Sequence, residues 1–268
     1  MKKYIVFDSE TTNSIDDPFC YDIGFIVIDE TGKVYEKHSY VVADVFLDSE
    51  LMASAYFAEK IPQYWEDIKS GKRILRRLKT IRSILRDVMT QHEINMVCAY
   101  NCAFDVRSGN YTQRYLTSSK YRYFYPYGTQ FMDILKLARE VLKTDENYKV
   151  FCKENNYLTE RGQNRYTAEI VYRYLFDKDF MEEHTGLADC LIETQIMVKL
   201  MKENPKVNFK LWWMVSQNSV EFWDTLHLYI EVMIMRQNKI PQSKIMLKRN
   251  VNNNVIDHLF NNKYSDLK

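Results

Sequence analysis

A chain of 268 residues, 46% hydrophobic and 27% charged, holds enough apolar material for one large α/β domain with an appendage. A net charge of +1 excludes a global field for polyanions, so nucleic-acid binding has to come from local patches. Five cysteines (Cys20, Cys98, Cys102, Cys152, Cys190) contain no CxxC pair, which argues against disulfides or a zinc site and for a reducing cytoplasm; no signal-like start and no uninterrupted membrane span is expected.

Residues 4–7 (YIVF) read as a buried strand that ends in Asp8-Ser9-Glu10-Thr11-Thr12. Alternation puts Asp8 and Glu10 on one face. Two adjacent acids at a buried strand end repel and lose solvation, which makes sense if a hard cation lies between them. A strand running out into a solvated acidic turn is the plainer alternative. After a polar loop at 13–18, residues 21–29 and 34–42 are two further strands around a turn at 30–33, so an antiparallel meander is expected. A short helix over 48–59 should end at Ile61-Pro62.

Residues 72–93 show the clearest helical period: Ile74, Leu75, Leu78, Ile81, Ile84, Leu85, Val88 and Met89. The opposite face carries Lys72, Arg73, Arg76, Arg77, Lys79, Arg82 and Arg86. It reads as a solvated outer face ahead of a phosphate-tracking ridge. Residues 96–100 form a short buried strand, and Asp105 follows at the entry of a helix over 106–120. An aromatic loop at 121–127 is either packed or available to stack on single-stranded bases. Asp133 is the expected N-cap of a helix reaching about Lys143. Two short helices follow at 147–156 and 167–176. Asp189 then stands in the first turn of a helix reaching about Lys202, where an acid suits the dipole. Strands followed by helix–strand–helix units argue for an α/β mixed sheet flanked by helices.

Residues 206–268 change character. Trp212, Trp213, Phe222, Trp223, Leu226, Tyr229, Met233 and Met235 predict a helical, aromatic and Met-rich extension. It either packs on the domain or forms an interaction surface for a partner or a second copy. The division expected is 1–204 and 205–268.

Four acids and one histidine stand at strand ends or helix starts: Asp8, Glu10, Asp105, His184 and Asp189. With them the sequence resembles the DEDDh branch of the DnaQ-like 3′–5′ exonucleases, within the ribonuclease H-like superfamily. Asp8-Ser9-Glu10-Thr11-Thr12 matches the family's first motif, Asn101-Cys102-Ala103-Phe104-Asp105 its second, and His184 with Asp189 five residues on its third. Asp133-Ile134-Leu135-Lys136-Leu137-Ala138-Arg139 resembles a helix start common in the family. Asn13 and Tyr100 stand where Gly and His are frequent, and neither change removes a ligand. The resemblance covers about residues 3–202.

It implies a ribonuclease H-like mixed sheet and a phosphodiester hydrolase that uses two Mg²⁺ or Mn²⁺. Asp8, Glu10, Asp105 and Asp189 would be the metal ligands. His184 would be the general base, its ordinary pKa near 6.5 suiting the task. Gly186 would give the His184 loop freedom to move. Substrate contacts would come from Thr11, Thr12, Asn101 and Phe104, and 5′-mononucleotides would leave the 3′ end of a single strand. Other readings are an RNA-trimming exoribonuclease or oligoribonuclease, a non-catalytic partner-binding module, and an acidic Ca²⁺-binding domain. The last is weakened by the lack of an EF-hand-like loop.

Overall fold

The computed structural model describes residues 1–12, 18–117 and 123–203. Asn13, the first two residues of the aromatic loop and the 205–268 extension lie outside the described residues. Among these residues one mixed sheet has six strands in the order β4-β3-β2-β1-β5-β6. Strands β1 (Lys3–Thr12), β2 (Phe19–Asp29) and β3 (Val34–Val42) are the expected antiparallel meander. The remaining strands, β4 (Ile74–Arg76), β5 (Met96–Ala99) and β6 (Gln130–Asp133), join in parallel. β1 is longer than its apolar run. Asp8 and Glu10 lie inside the strand, paired with Gly24 and Asp22 of β2.

Alternation along β1 splits the core in two. Ile5 and Phe7 face the cluster under α4 (Leu78–Gln91) and α5 (Cys102–Leu116). Tyr4 and Val6 face the cluster under α6 (Ile134–Leu142), α7 (Glu146–Glu154), α8 (Ala168–Leu175) and α9 (Gly186–Glu203). Asp133 caps α6 as expected, its Oδ1 accepting from the Leu135 amide at 3.0 Å.

Three local expectations give way. The 48–59 stretch is only α2 (Ser49–Met52), preceded by α1 (Ala43–Phe46) and followed by a 3₁₀ turn, Ala58–Lys60. Pro62 does not end a helix but sits in the first turn of α3 (Ile61–Lys69), where a missing N–H costs nothing. The helix predicted from Lys72 begins at Leu78, because residues 74–76 pair with β3 as an edge strand. Arg73 is therefore not on a basic ridge. It is buried, and its guanidinium bonds Asp22 at 2.9 Å and Asp67 at 3.0 Å. In the aromatic loop, Phe124 and Tyr125 are buried edge-to-face against Phe7, so these two rings are core and cannot stack on bases.

Candidate active site

The carboxyl ends of the parallel strands β1 and β5 and the starts of α5 and α9 converge on one cleft of about 220 Å³. Asp8, Glu10, Asp105, His184 and Asp189, five residues singled out by sequence, all line it, and so does Phe104. The other three do not. Thr11 and Thr12 continue β1 with buried side chains, and Asn101 faces a neighbouring groove.

Each side chain has a local reason for its place. Glycine at 24 and 186 lets the start of α9 press on the sheet. A Cβ on Gly24 would lie 2.2 Å from the Gly186 carbonyl carbon and 2.3 Å from the Leu187 nitrogen. The Gly186 amide donates to Asp22 Oδ2 at 3.1 Å. Gly186 is thus a point of close packing, a role the sequence reading did not anticipate. This contact brings Asp189, less than one turn into α9, against the β1 acids. Asp105 enters from α5 and accepts from the Ser9 hydroxyl at 2.9 Å.

His184 is set differently. Its backbone is left-handed, at φ 50°, and its ring stacks on Phe57 with centroids 4.3 Å apart and planes 12° from parallel. Lys60 donates to the Glu183 carbonyl beside it. A second buried system lies behind the cleft: Asp22 Oδ2 accepts from Tyr64 at 2.7 Å and from Arg73, while its Oδ1 has no hydrogen-bond partner among the described residues.

The electrostatics are those of crowded acids. Burial, then Glu193, Asp105 and Asp189, push the Asp8 carboxyl well above its ordinary range. Burial raises Glu10 to about 9, Asp189 to about 8 and Asp105 to about 7, with neighbouring acids adding to the rise. Burial and the nearby Lys60 instead lower the His184 pKa.

Sequence reasoning missed two further acids of the cleft. Glu193 is buried, and its Oε2 accepts from the Tyr100 amide at 3.3 Å. It lies four residues beyond Asp189, on the same face of α9, which was the available signal. Glu182, whose carboxyl burial lifts to about 7, also lines the cleft.

The donor set fits a hard divalent cation. One ligand atom each from Glu10, His184 and Asp189 lie within 4.8 Å of one another. Asp189 Oδ1 is buried with no hydrogen-bond partner among the described residues. The carboxylate oxygens suit Mg²⁺ or Mn²⁺, whereas an imidazole ligand would suit a softer divalent ion such as zinc, and a cation would relieve the repulsion that raises these pKa values.

No family model and no curated protein matches this sequence. Solved structures do. The nuclease domain of 3′hExo, a DEDDh family member bound to rAMP, aligns with TM-score 0.53 at 10% identity over 80% of this chain and 97% of that one. The zinc-bound E. coli ExoI–ssDNA complex aligns with TM-score 0.50 at 14% identity, covering 76% of this chain. E. coli Exonuclease I with a dT13 oligonucleotide gives TM-score 0.50 at 12% identity, covering 77%. The match spans only 41–42% of the exonuclease I chains. The fold is that of the ribonuclease H-like DEDDh exonucleases.

Proposed function

We propose that this chain is a metal-dependent 3′–5′ exonuclease that removes 5′-mononucleotides from the 3′ end of single-stranded nucleic acid, with DNA favoured. The observation that carries the reading is the convergence of Asp8, Glu10, Asp105, Asp189 and His184 in one cleft. Neighbours of the same fold bound to single-stranded DNA or to rAMP support the substrate class.

Asp8, Glu10, Asp105 and Asp189 would hold two Mg²⁺ or Mn²⁺ ions. When bound, the ions supply charge stabilisation at the scissile phosphate and the leaving oxygen. His184 takes a proton from the attacking water. The water oxygen bonds to phosphorus, the bond from phosphorus to the upstream O3′ breaks, and that O3′ is protonated. A lowered His184 pKa keeps the ring neutral, and so able to accept a proton, at neutral pH. The Phe57 stack fixes the ring plane. Phe104, half-buried at the cleft edge, packs beside the terminal nucleotide.

Five unpaired, buried cysteines support a reducing, cytoplasmic setting. No helix among the described residues is long and apolar enough to cross a membrane. The 205–268 extension is proposed as a separate surface for a partner or a second copy.

The test is digestion of a 5′-labelled single strand, as DNA and as RNA, in Mn²⁺ or EDTA. A ladder that shortens from the 3′ end, needs metal and disappears in Asp8→Asn is the expected result. No cleavage of either strand in Mn²⁺ would overturn the reading in favour of a binding module.

A further inference from the structure

We propose that the groove beside the acidic cleft is a second subsite, one that holds the sugar-phosphate backbone of the single strand upstream of the scissile bond. The proposal rests on the exonuclease reading and extends it to where the rest of the substrate lies.

The groove has a volume of about 810 Å³ and runs between α6 and the arm at 157–168. It adjoins the cleft directly, since Tyr100 and Ala168 line both. Its chemistry is the reverse of the cleft's. The cleft concentrates carboxylates and repels a polyanion wherever cations do not cover them. The groove presents Arg139, Lys143 and Arg165 against one acid, Glu140. Lys143 is held by that acid at 2.7 Å. Arg139 is exposed and makes no side-chain hydrogen bond or ion pair among the described residues. Arg165 uses its Nε on the Leu158 carbonyl at 3.1 Å, which leaves its terminal nitrogens facing solvent. The Arg139 guanidinium and the terminal nitrogens of Arg165 are the preferred kind of donor for phosphate oxygens, which a guanidinium can bind in pairs.

The walls are built before any ligand arrives. The Tyr148 hydroxyl donates to the Arg165 carbonyl and the Tyr100 hydroxyl to the Tyr166 carbonyl, both at 2.6 Å. The Thr159 amide closes the arm on the Gln163 carbonyl at 2.7 Å. On the other side, Asn101 sits at φ 61° with its amide held by Asp133 at 3.1 Å, which fixes the backbone that carries its side chain into the groove. A fixed arm pays little ordering entropy on binding. Arg139 also lies in the last turn of α6, where a cation suits the helix dipole. That role predicts no dependence on substrate length.

The experiment compares two substrates of the full chain in Mn²⁺: an eight-nucleotide single strand, as DNA and as RNA, and a small chromogenic ester, p-nitrophenyl thymidine 5′-monophosphate. The readout is the ratio of kcat/KM for the strand to that for the ester. Loss of folded protein lowers both rates alike and leaves the ratio unmoved. Arg139→Ala with Arg165→Ala should lower the ratio at least about tenfold, the scale of lost charge-assisted hydrogen bonds. The salt dependence of log kcat/KM for the strand should become shallower by about 1.4, as expected for two lost phosphate contacts on a single strand. Arg139→Ala alone removes an exposed side chain without a partner and should give part of the effect without threatening the fold. An unchanged ratio in both variants overturns the proposal. Wild-type protein that cleaves neither substrate instead overturns the exonuclease reading beneath it. A fall with DNA but not RNA, or the reverse, assigns the sugar of the strand that the groove holds.

Discussion

Gly24→Ala tests whether the α9–sheet contact sets the metal site. The added methyl would meet Gly186 C at 2.2 Å, Gly186 O at 2.3 Å and Leu187 N at 2.3 Å, all backbone atoms. Ordinary contact begins near 3.4 Å, so the start of α9 must retreat by about 1.2 Å, the gap between those two distances. No side chain can rotate away to absorb this. Overpacking of this kind costs about 1–3 kcal/mol, which is a fall in Tm of roughly 2–12 °C for a domain of this size. Asp189 rides on α9 and must retreat with it, away from Asp8 and Glu10. A displacement of about 1 Å at a reacting centre can cost on the order of a hundredfold in rate. The assay is stepwise shortening of a 5′-labelled single strand in saturating Mn²⁺, with thermal unfolding of the same preparation. The rate loss should exceed anything the fraction unfolded explains, and apparent Mn²⁺ affinity should weaken in parallel. A variant that keeps wild-type turnover and unfolds within about 1 °C of wild type would refute the reasoning.

His184→Ala should lose rate by about 10²–10⁴-fold while Mn²⁺ binding by calorimetry is nearly kept; an equal loss of both would make the imidazole a ligand, as its distance to Glu10 and Asp189 permits. Without metal, thermal stability should fall as pH rises from about 5 to 8. Unfolded carboxyls titrate near pH 4, whereas the folded protein holds protons on Asp105 to about 7, on Asp189 to about 8 and on Glu10 to about 9. The folded state therefore binds more protons across that window, and the slope is negative. Added Mn²⁺ should flatten it, and a metal-free Tm that rises over the window would contradict the crowded-acid picture. Arg73→Met should destabilise the protein by about 3–5 kcal/mol in chemical denaturation, because it leaves the buried Asp22 carboxyl without its guanidinium partner. A loss below about 1 kcal/mol would mean that Tyr64 and the Gly186 amide suffice to hold that carboxylate.

The sequence was most legible where one signal dominated. The meander follows from three β-rich runs around a short turn, and the α6 start from Asp133 acting as its cap. The five candidate residues stood out because Asp8 and Glu10 follow directly on the apolar run of β1, Asp105 and Asp189 stand in the first turns of helices, and His184 precedes Asp189 by five residues. Residues 72–77 misled because Ile74 and Leu75 fit a helical period and a three-residue edge strand equally well. Pairing with β3, a contact distant in sequence, decides between them. Arg73 looked like one cation among seven until Asp22 and Asp67, 51 and 6 residues away, enclosed it. Gly186 was read only for the motion it permits, and its partner Gly24 shows that it also permits close approach.

The histidine and the acids are fastened to parts of the molecule that differ in depth. Asp8, Glu10 and Asp189 ride on the central strand and on a helix whose inner face is core. The His184 ring is held from outside by Phe57, and the carbonyl of the preceding Glu183 by Lys60 of a 3₁₀ turn in which no residue is buried. Local opening follows burial, so amides at 57–60 and 183–184 should exchange with deuterium well before those of β1. In dilute denaturant the His184 imidazole would leave the cleft while the carboxylate cluster stood intact, so that, on the proposed reading, ion binding would outlast turnover. Failure would come in two steps, chemistry first and structure second.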